Sequence, residues 1–282
     1  MNTITSESVE VPGETEELLI VSDLHGYRHA LEGFEKAVSG KLTRHQILFC
    51  GDLYAPGIQP VECTAWVMDH AGRLAVRGNH DDEMLKTRIT QPREPLWSEA
   101  GAKQNLTHEQ LDYMTQLPHR LVVTWRGKRI VLMHGHIRPD GGPGNYITTP
   151  RQQMEWFYDE RADLCAMGHS HFPYVGEINK TIMTNCGAMS TIMLGMLTSE
   201  GLHAQSGEDT VDTRDDKHSS FISVTMSSGE LHAEISRFQV DQAAMIKDLF
   251  AVRCPYTYRI QRCMQDGISD STLPLLTNSE EE

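Results

Sequence analysis

Long apolar runs are missing from this chain of 282 residues. No stretch reaches the ~18 consecutive apolar residues that a membrane-spanning helix needs. The first seventeen residues are polar and acidic, and they contain no apolar core of a secretory signal. These absences predict a protein that neither inserts into a membrane nor is exported.

Positive charge is also scarce. The chain carries 25 lysine and arginine residues against 39 aspartate and glutamate residues, which gives a formal net charge of −14. Such a charge repels polyanions at long range, and no basic stripe with interleaved aromatic residues compensates for it. Nucleic acid is therefore disfavoured as a partner.

Paired cysteines are the third absence. The six cysteines are scattered without a Cys-x-x-Cys pair, and three of them lie within or beside predicted buried strands. This pattern favours reduced thiols in the core of a protein from a reducing compartment. Together with the lack of export, it predicts a cytoplasmic location.

The composition changes along the chain. Residues 1–17 and 265–282 lack periodic apolar content, so we expect a disordered N-terminal segment and a disordered acidic tail around one domain at 18–264. Between them, apolar runs alternate with helical patterns, as is typical of an α/β domain. The predicted strands, apolar throughout, are 18–21, 47–50, 74–76, 130–133 and 164–167. The other predicted elements are helices at 29–38, 60–71, 108–116 and 151–160, a hairpin of 221–226 with 231–235, and an exposed loop at 199–219.

Each predicted strand leads directly into a block of metal-binding residue types. The blocks are Asp23-Leu24-His25, Gly51-Asp52, Gly78-Asn79-His80-Asp81, His134-Gly135-His136 and Gly168-His169-Ser170-His171. Loops that leave the carboxyl ends of strands gather on one edge of an α/β sheet, so residues far apart in sequence can converge there. Carboxylates, an amide and imidazoles suit two divalent cations that share a bridging oxygen and activate water. The sequence therefore predicts a dinuclear metallohydrolase.

Charge and chemistry indicate roles within these blocks. The two oxygens of Asp52 make it the natural bridge between two cations. Asn79 offers a neutral oxygen, which leaves the site with a net positive charge that attracts a phosphoryl oxygen. His80 can donate a proton to the leaving oxygen. For His136 two roles stay open, one that supports a ligand and one that is purely structural.

In this order, the blocks from Asp23 to His171 resemble the calcineurin-like metallophosphoesterase superfamily, over about residues 18–190. The resemblance implies a four-layer α-β-β-α sandwich with two facing mixed sheets and two metals at one edge, and it makes 18–264 the catalytic domain. It implies that His80 is the general acid. The implied ligands of the first metal are Asp23, His25, Asp52 and His171, and those of the second are Asp52, Asn79, His134 and His169.

Departures from the superfamily pattern indicate a branch. Protein phosphatases and symmetrical dinucleoside tetraphosphatases of this superfamily carry Gly-Asp-x-x-Asp-Arg-Gly, where this chain has Gly-Asp-Leu-Tyr-Ala-Pro-Gly at 51–57. Ala55 cannot support a histidine, and Pro56 cannot bind phosphate. The sequence Asn-Cys-Gly-Ala at 185–188 is similar to the Asn-Pro-Gly-Ser turn of the compact bacterial phosphodiesterase and phosphatase branch, which we therefore expect. Adjacency predicts that Asp81 orients His80.

The predicted activity is hydrolysis of a small phosphodiester or phosphomonoester. A protein phosphatase and a nucleotide hydrolase of the same superfamily are alternatives, and a metal-bound protein-interaction scaffold is an alternative of another class. A scaffold would usually lack His80 or a ligand, and none is missing here. The resemblance favours manganese, although mixed nitrogen and oxygen ligands also accept iron, zinc, cobalt or nickel. The pattern assigns no oligomeric state.

Overall fold

Two mixed β-sheets form the middle of the protein in the computed structural model, which describes residues 4–40, 44–138, 140, 142, 144, 147, 149–157, 161–190 and 219–266. The strands of the larger sheet are β1 (Ser6–Glu10), β4 (Arg120–Trp125), β5 (Lys128–Met133), β6 (Leu164–Met167), β7 (Tyr174–Ile178) and β8 (Thr181–Asn185). Their order is β1-β4-β5-β6-β8-β7. The β4/β5 and β7/β8 pairs are antiparallel and the other pairs are parallel.

The smaller sheet contains the predicted hairpin. Its strands are β2 (Glu17–Val21), β3 (His45–Phe49), β9 (Ser219–Ser227) and β10 (Glu230–Phe238), in the order β10-β9-β2-β3. Strands β2 and β3 are parallel, whereas β9 pairs antiparallel with β2 and β10. Ser228 and Gly229 connect β9 to β10 with φ values of 52° and 81°. A two-residue loop with both φ values positive matches the right-handed twist of the strands that it joins.

Helices cover the outer faces of the sheets. They are α1 (Arg28–Val38), α2 (Pro60–His70), α3 (Asn79–Lys86), α4 (Glu99–Asn105), α5 (His108–Gln116), α6 (Pro150–Phe157), α7 (Gln242–Ala251) and α8 (Thr257–Asp266). The cap at the start of α5 is the predicted one. Thr107 Oγ1 accepts a hydrogen bond from Gln110 N at 3.2 Å, and Gln110 Oε1 accepts one from Thr107 N at 3.1 Å.

Strand β2 shows how the layers are built. Its alternate residues point to opposite faces of the sheet. Leu18 and Ile20 pack in the core between the two sheets, whereas Leu19 and Val21 pack against helices α1 and α2. On the outer face of the larger sheet, Phe157 of α6 packs in a third core. The result is a four-layer α-β-β-α sandwich, which confirms the predicted fold class.

Most predicted elements lie within a few residues of observed ones. Residues 74–76 contribute only an isolated parallel bridge, between Ala75 and Phe49, because Arg77 N already turns away to bond Pro118 O. Of the helix predicted at 151–160, residues 158–160 lie outside the described residues. The four helices α3, α4, α7 and α8 were not predicted.

The prediction that residues 1–17 are disordered is wrong for β1. Strand β1 pairs in parallel with β4 at the edge of the larger sheet, with Ser6 opposite Arg120 and Glu10 opposite Thr124. Its side chains are exposed or half-buried. The strand is therefore held mainly by main-chain hydrogen bonds, which leave no trace in an apolar pattern.

Two further predictions fall largely beyond the described residues. Of the loop predicted at 199–219, only Ser219 is described, and it begins β9. Of the tail predicted at 265–282, residues 267–282 are outside the described part. Within the described residues, no helix is both long enough and apolar enough to span a bilayer.

Candidate metal centre

The loops that follow β2, β3, β5 and β6 meet at one edge of the sandwich, together with the first residue of α3. Five of the predicted ligands there have positive φ values, between 53° and 68°. Residues other than glycine rarely adopt this conformation, and it is most common at functional sites. These ligands are Asp23, His25, Asp52, His169 and His171.

Asp23, His25 and His171 form the first ligand group. The distance from Asp23 Oδ1 to His171 Nε2 is 3.0 Å, and that to His25 Nε2 is 3.7 Å. Asp23 Oδ1 is buried and has no hydrogen-bond partner. A buried carboxylate oxygen of this kind requires a compensating partner, and a cation between these three side chains would supply it. The donor set therefore fits a divalent metal.

Asp52, His134 and His169 form the second group, and Asn79 lies beside it. The Nε2 atom of His134 is 3.1 Å from Asp52 Oδ2 and 3.2 Å from Asn79 Oδ1. Asp52 Oδ2 also lies 4.0 Å from His25 Nε2 in the first group. Asp52 thus contacts both groups, and all seven predicted ligands converge at one centre.

Main-chain carbonyls orient two of the imidazoles. His134 Nδ1 lies 2.8 Å from Cys50 O, and His25 Nδ1 lies 2.7 Å from Ala55 O. Since a carbonyl oxygen only accepts, each Nδ1 donates. With the Nε2 proton removed, as metal binding requires, the lone pair of that nitrogen can bind a metal.

The electrostatics favour anionic carboxylates. Burial by itself raises the pKa of Asp23, but the adjacent charge of His171 holds that pKa well below its usual value. Burial also opposes ionisation of Asp52, yet His134 keeps its pKa well below the usual range. Burial and the charge of His134 lower the pKa of His169 to about 3, so that His169 is neutral and available as a ligand.

Two glycines let the main chain approach these carboxylates. A Cβ atom at Gly78 would overlap Asp52 Oδ1, and one at Gly168 would overlap Asp23 Oδ2. A side chain at either position would therefore displace a candidate ligand. This close approach explains why the glycine and the ligand occur in the same motif.

His80 lies beside the centre and contacts a carboxylate that was not predicted. Its Nδ1 atom is 3.2 Å from Glu99 Oε1, and its ring centroid is 5.1 Å from that of His25. Burial alone lowers the pKa of His80, but the charges of Asp52 and Glu99 raise it to about 9. A single glutamate at the start of a helix is usually only a favourable partner for the helix dipole, so no sequence signal marked Glu99.

The prediction that Asp81 orients His80 is wrong. Asp81 is buried, and its Oδ2 atom accepts hydrogen bonds from Gly78 N at 2.8 Å and Asp52 N at 3.0 Å. Its Oδ1 atom accepts one from Leu53 N at 2.8 Å. Neighbours on a helix point in different directions, so Asp81 faces the main chain of the Asp52 loop while His80 faces the centre.

His136 lies outside both ligand groups. Its Nε2 atom is 3.5 Å from Asp82 Oδ2, while His119 Nε2 is 3.0 Å and Arg77 Nε 3.4 Å from the Asp82 carboxylate. The His136 and His134 ring centroids are 5.5 Å apart. Because Arg77 already balances the charge of Asp82, this cluster is an ion-pair network behind the ligands. His119 and Asp82 were not predicted, since nothing in their spacing relates them.

The fold and the site together define an α/β sandwich with a dense carboxylate and imidazole cluster at one edge of the sandwich. The chain belongs to the calcineurin-like phosphoesterase superfamily, whose domain model matches residues 17–197. No curated protein sequence matches the chain significantly.

Two solved structures are similar to the whole fold. A metallophosphoesterase from Sphaerobacter thermophilus is 20% identical with a TM-score of 0.65, and the match covers 90% of this chain and 100% of that one. The hypothetical protein PH1004 from Pyrococcus horikoshii OT3 is 11% identical with a TM-score of 0.66, over 90% of this chain and 99% of that one. At these identities the similarity shows the shared fold.

Proposed function

We propose that this protein is a metal-dependent phosphoesterase that hydrolyses a small phosphodiester or phosphomonoester. The observation that carries the proposal is the pair of adjoining ligand groups, Asp23 with His25 and His171, and Asp52 with His134 and His169. Asp52 contacts both groups, as a bridging ligand would. Membership of the phosphoesterase superfamily supports the same activity.

Two divalent cations would be held by these side chains and Asn79, and when bound they would activate water and neutralise charge on the phosphoryl oxygens. The protein supplies the orientation. Main-chain carbonyls hold the ring planes of His25 and His134, and α3 starts at Asn79 beside His134.

His80 acts as the general acid. One of its ring nitrogens lies within 4.8 Å of both an Asp52 oxygen and a His25 nitrogen, so His80 reaches the reacting centre. Its raised pKa keeps a proton available at neutral pH. Transfer of that proton to the departing oxygen lets the P–O bond break without releasing an alkoxide.

Residues 51–57 bear on the substrate class. Ala55 and Pro56 provide neither the second acid nor the arginine of the protein phosphatases. The net charge of −14 opposes long-range attraction of a polyanion. We therefore propose a small substrate and the compact bacterial-type branch. We also propose manganese as the metal and a cytoplasmic location.

The test is a screen of phosphomonoesters, cyclic and linear diesters, and nucleotides on protein reconstituted with manganese, iron, zinc, cobalt or nickel. Metal content is measured in parallel. We expect turnover that chelation abolishes, and an Asp52→Asn variant that loses both paired metal binding and activity. Full metal occupancy without turnover of any substrate would favour a scaffold instead.

The role of His80 has a separate test. His80→Ala should reduce kcat/KM for alkyl esters by about 10²–10⁴-fold, with a much smaller loss for activated aryl esters. His108→Ala, at the exposed first turn of α5, is the matched control. Equal losses across the leaving-group series would show that His80 is not the acid.

A further inference from the structure

We infer that Glu99 is the positioning residue for His80, holding its imidazole in the orientation that presents Nε2 to the leaving group. This inference rests on the proposed function and assigns a role to a residue outside the metal-binding motifs. Its physical basis is the contact of 3.2 Å between His80 Nδ1 and Glu99 Oε1.

The direction of this hydrogen bond follows from the charge of Glu99. The contact with His80 lowers the pKa of Glu99 below that of an ordinary glutamate, so the carboxylate is ionised at neutral pH and only accepts hydrogen bonds. His80 Nδ1–H therefore donates to it, and Nε2 is the nitrogen left to exchange a proton with the substrate. In the reaction, the Nε2–H bond breaks as the leaving oxygen takes the proton, and Nδ1–H stays with Glu99.

Asp81 and Asp52 do not take the place of Glu99 in this role. Both oxygens of Asp81 are occupied by main-chain N–H groups of Gly78, Asp52 and Leu53. Asp52 accepts a hydrogen bond from the main-chain N of His80 at 3.0 Å, not from its ring. Position 55, where protein phosphatases of the superfamily carry an acid, is an alanine. Glu99 thus supplies from α4 the second carboxylate that the 51–57 loop lacks.

The fold fixes Glu99 at the first turn of α4. Ser98 caps this helix by accepting a hydrogen bond from Gly101 N at 3.0 Å. Gly101 packs so closely on the main chain that a Cβ atom there would overlap Pro95 O. The cap and this close packing position the first turn of α4, and the Glu99 side chain there is only 28% exposed.

The far end of α4 is tied to the helix that carries His80. Lys103 Nζ donates to Leu85 O at 2.6 Å and to Thr87 O at 2.8 Å, which satisfies carbonyls at the C-terminal end of α3. A positive charge near the C-terminus of a helix is stabilising. Helices α3 and α4 are therefore joined at both ends, by His80 with Glu99 and by Lys103 with the α3 terminus.

The kinetic test compares Glu99→Ala, Glu99→Gln and the exposed control Glu109→Ala on activated aryl and alkyl esters. We expect Glu99→Ala to lower kcat/KM for alkyl esters by about 10–100-fold, the usual cost of losing an outer-shell partner that orients a reacting group. Glu99→Gln should restore most of this loss, since its amide oxygen still accepts from Nδ1–H. In both Glu99 variants, kcat/KM for activated esters and the metal content should barely change. In Glu109→Ala, all of these quantities should match the wild type.

A double-mutant cycle shows whether Glu99 acts through His80. In a His80→Ala background, Glu99→Ala should have no further effect on alkyl esters, because no imidazole remains to be oriented. A full additional loss in that background would overturn the inference and indicate direct action of Glu99 on substrate or metal. Equal effects on both ester classes would also overturn it.

A second readout does not depend on turnover. In metal-free protein, the His80 Nδ1–H proton should give a hydrogen-bonded imidazole resonance by NMR. We expect Glu99→Gln to keep this resonance and Glu99→Ala to lose it. An unchanged resonance in Glu99→Ala overturns the inference. If the NMR result is as expected but the protein has no phosphoesterase activity, the proposed function alone is contradicted.

Discussion

Asp81 holds the main chain beneath the centre, and its removal has a calculable cost. Leaving a buried N–H group without an acceptor costs about 1–3 kcal/mol. Asp81→Ala strands three such groups, so its expected cost is about 3–9 kcal/mol, comparable with the whole stability of a domain at about 5–15 kcal/mol. Asp81→Asn can keep its oxygen at the Oδ2 position, which retains the bonds from Gly78 N and Asp52 N. It loses only the bond from Leu53 N, with an expected cost of about 1–3 kcal/mol.

The measurement is urea unfolding of metal-free protein at pH 8, followed by tryptophan fluorescence. Burial and the adjacent Asp52 raise the pKa of Asp81 to about 6, so its carboxyl is ionised at that pH. Asp69→Ala, at an exposed site near the end of α2, is the control and should change stability by less than about 0.5 kcal/mol.

Asp81→Ala should be less stable than Asp81→Asn by about 2–6 kcal/mol, because both variants lack the charge that Asp52 repels and they differ in the bonds from Gly78 N and Asp52 N. If Asp81→Asn and Asp81→Ala are equally stable, the bonds from Gly78 N and Asp52 N do not contribute as argued. Asp81→Asn should also keep the wild-type dependence of kcat/KM on the leaving group, because Asp81 does not contact His80.

Two more predictions concern the surroundings of the ligands. Gly78→Ala should weaken manganese binding by at least about 10-fold, because the new methyl group displaces Asp52. Calorimetry measures this affinity. The control Gly13→Ala, whose methyl group meets open space, should bind manganese as the wild type does. Unchanged affinity in Gly78→Ala would contradict the close approach. Burial raises the pKa of Asp82, but the hydrogen bond from His119 holds it well below its usual value. Ionised Asp82 therefore stabilises the fold at pH values above its unfolded pKa of about 3.9. This contribution is lost as the pH falls toward the folded pKa. Asp82→Asn should therefore lower the unfolding temperature of metal-free protein at pH 7. As the pH is lowered, the unfolding temperature of the variant should decrease less than that of the wild type. Parallel curves for variant and wild type would contradict this linkage.

Local pattern was sufficient to predict much of the fold. Strand β2 is buried at every position and apolar at residues 18–21 because both of its faces are covered, and the same reason made β3, β5 and β6 recognisable. The start of α5 was predictable since its capping box is confined to residues 107–110. Strand β1 escaped prediction because its partner β4 lies over a hundred residues away and its own side chains are mostly polar.

The site divides in the same way. The identities of the seven candidate ligands, from Asp23 to His171, were determined by the sequence, because each follows an apolar run and the loops after these runs meet at one edge of the sandwich. Their roles as metal ligands stay predictions, while their convergence is now structural. Tertiary packing alone decided that Glu99 rather than Asp81 contacts His80. Adjacent residues on a helix point in different directions, so Asp81 does not face His80. The partner of His80 comes from α4, whose position relative to α3 is set by tertiary contacts such as that of Lys103 with Leu85.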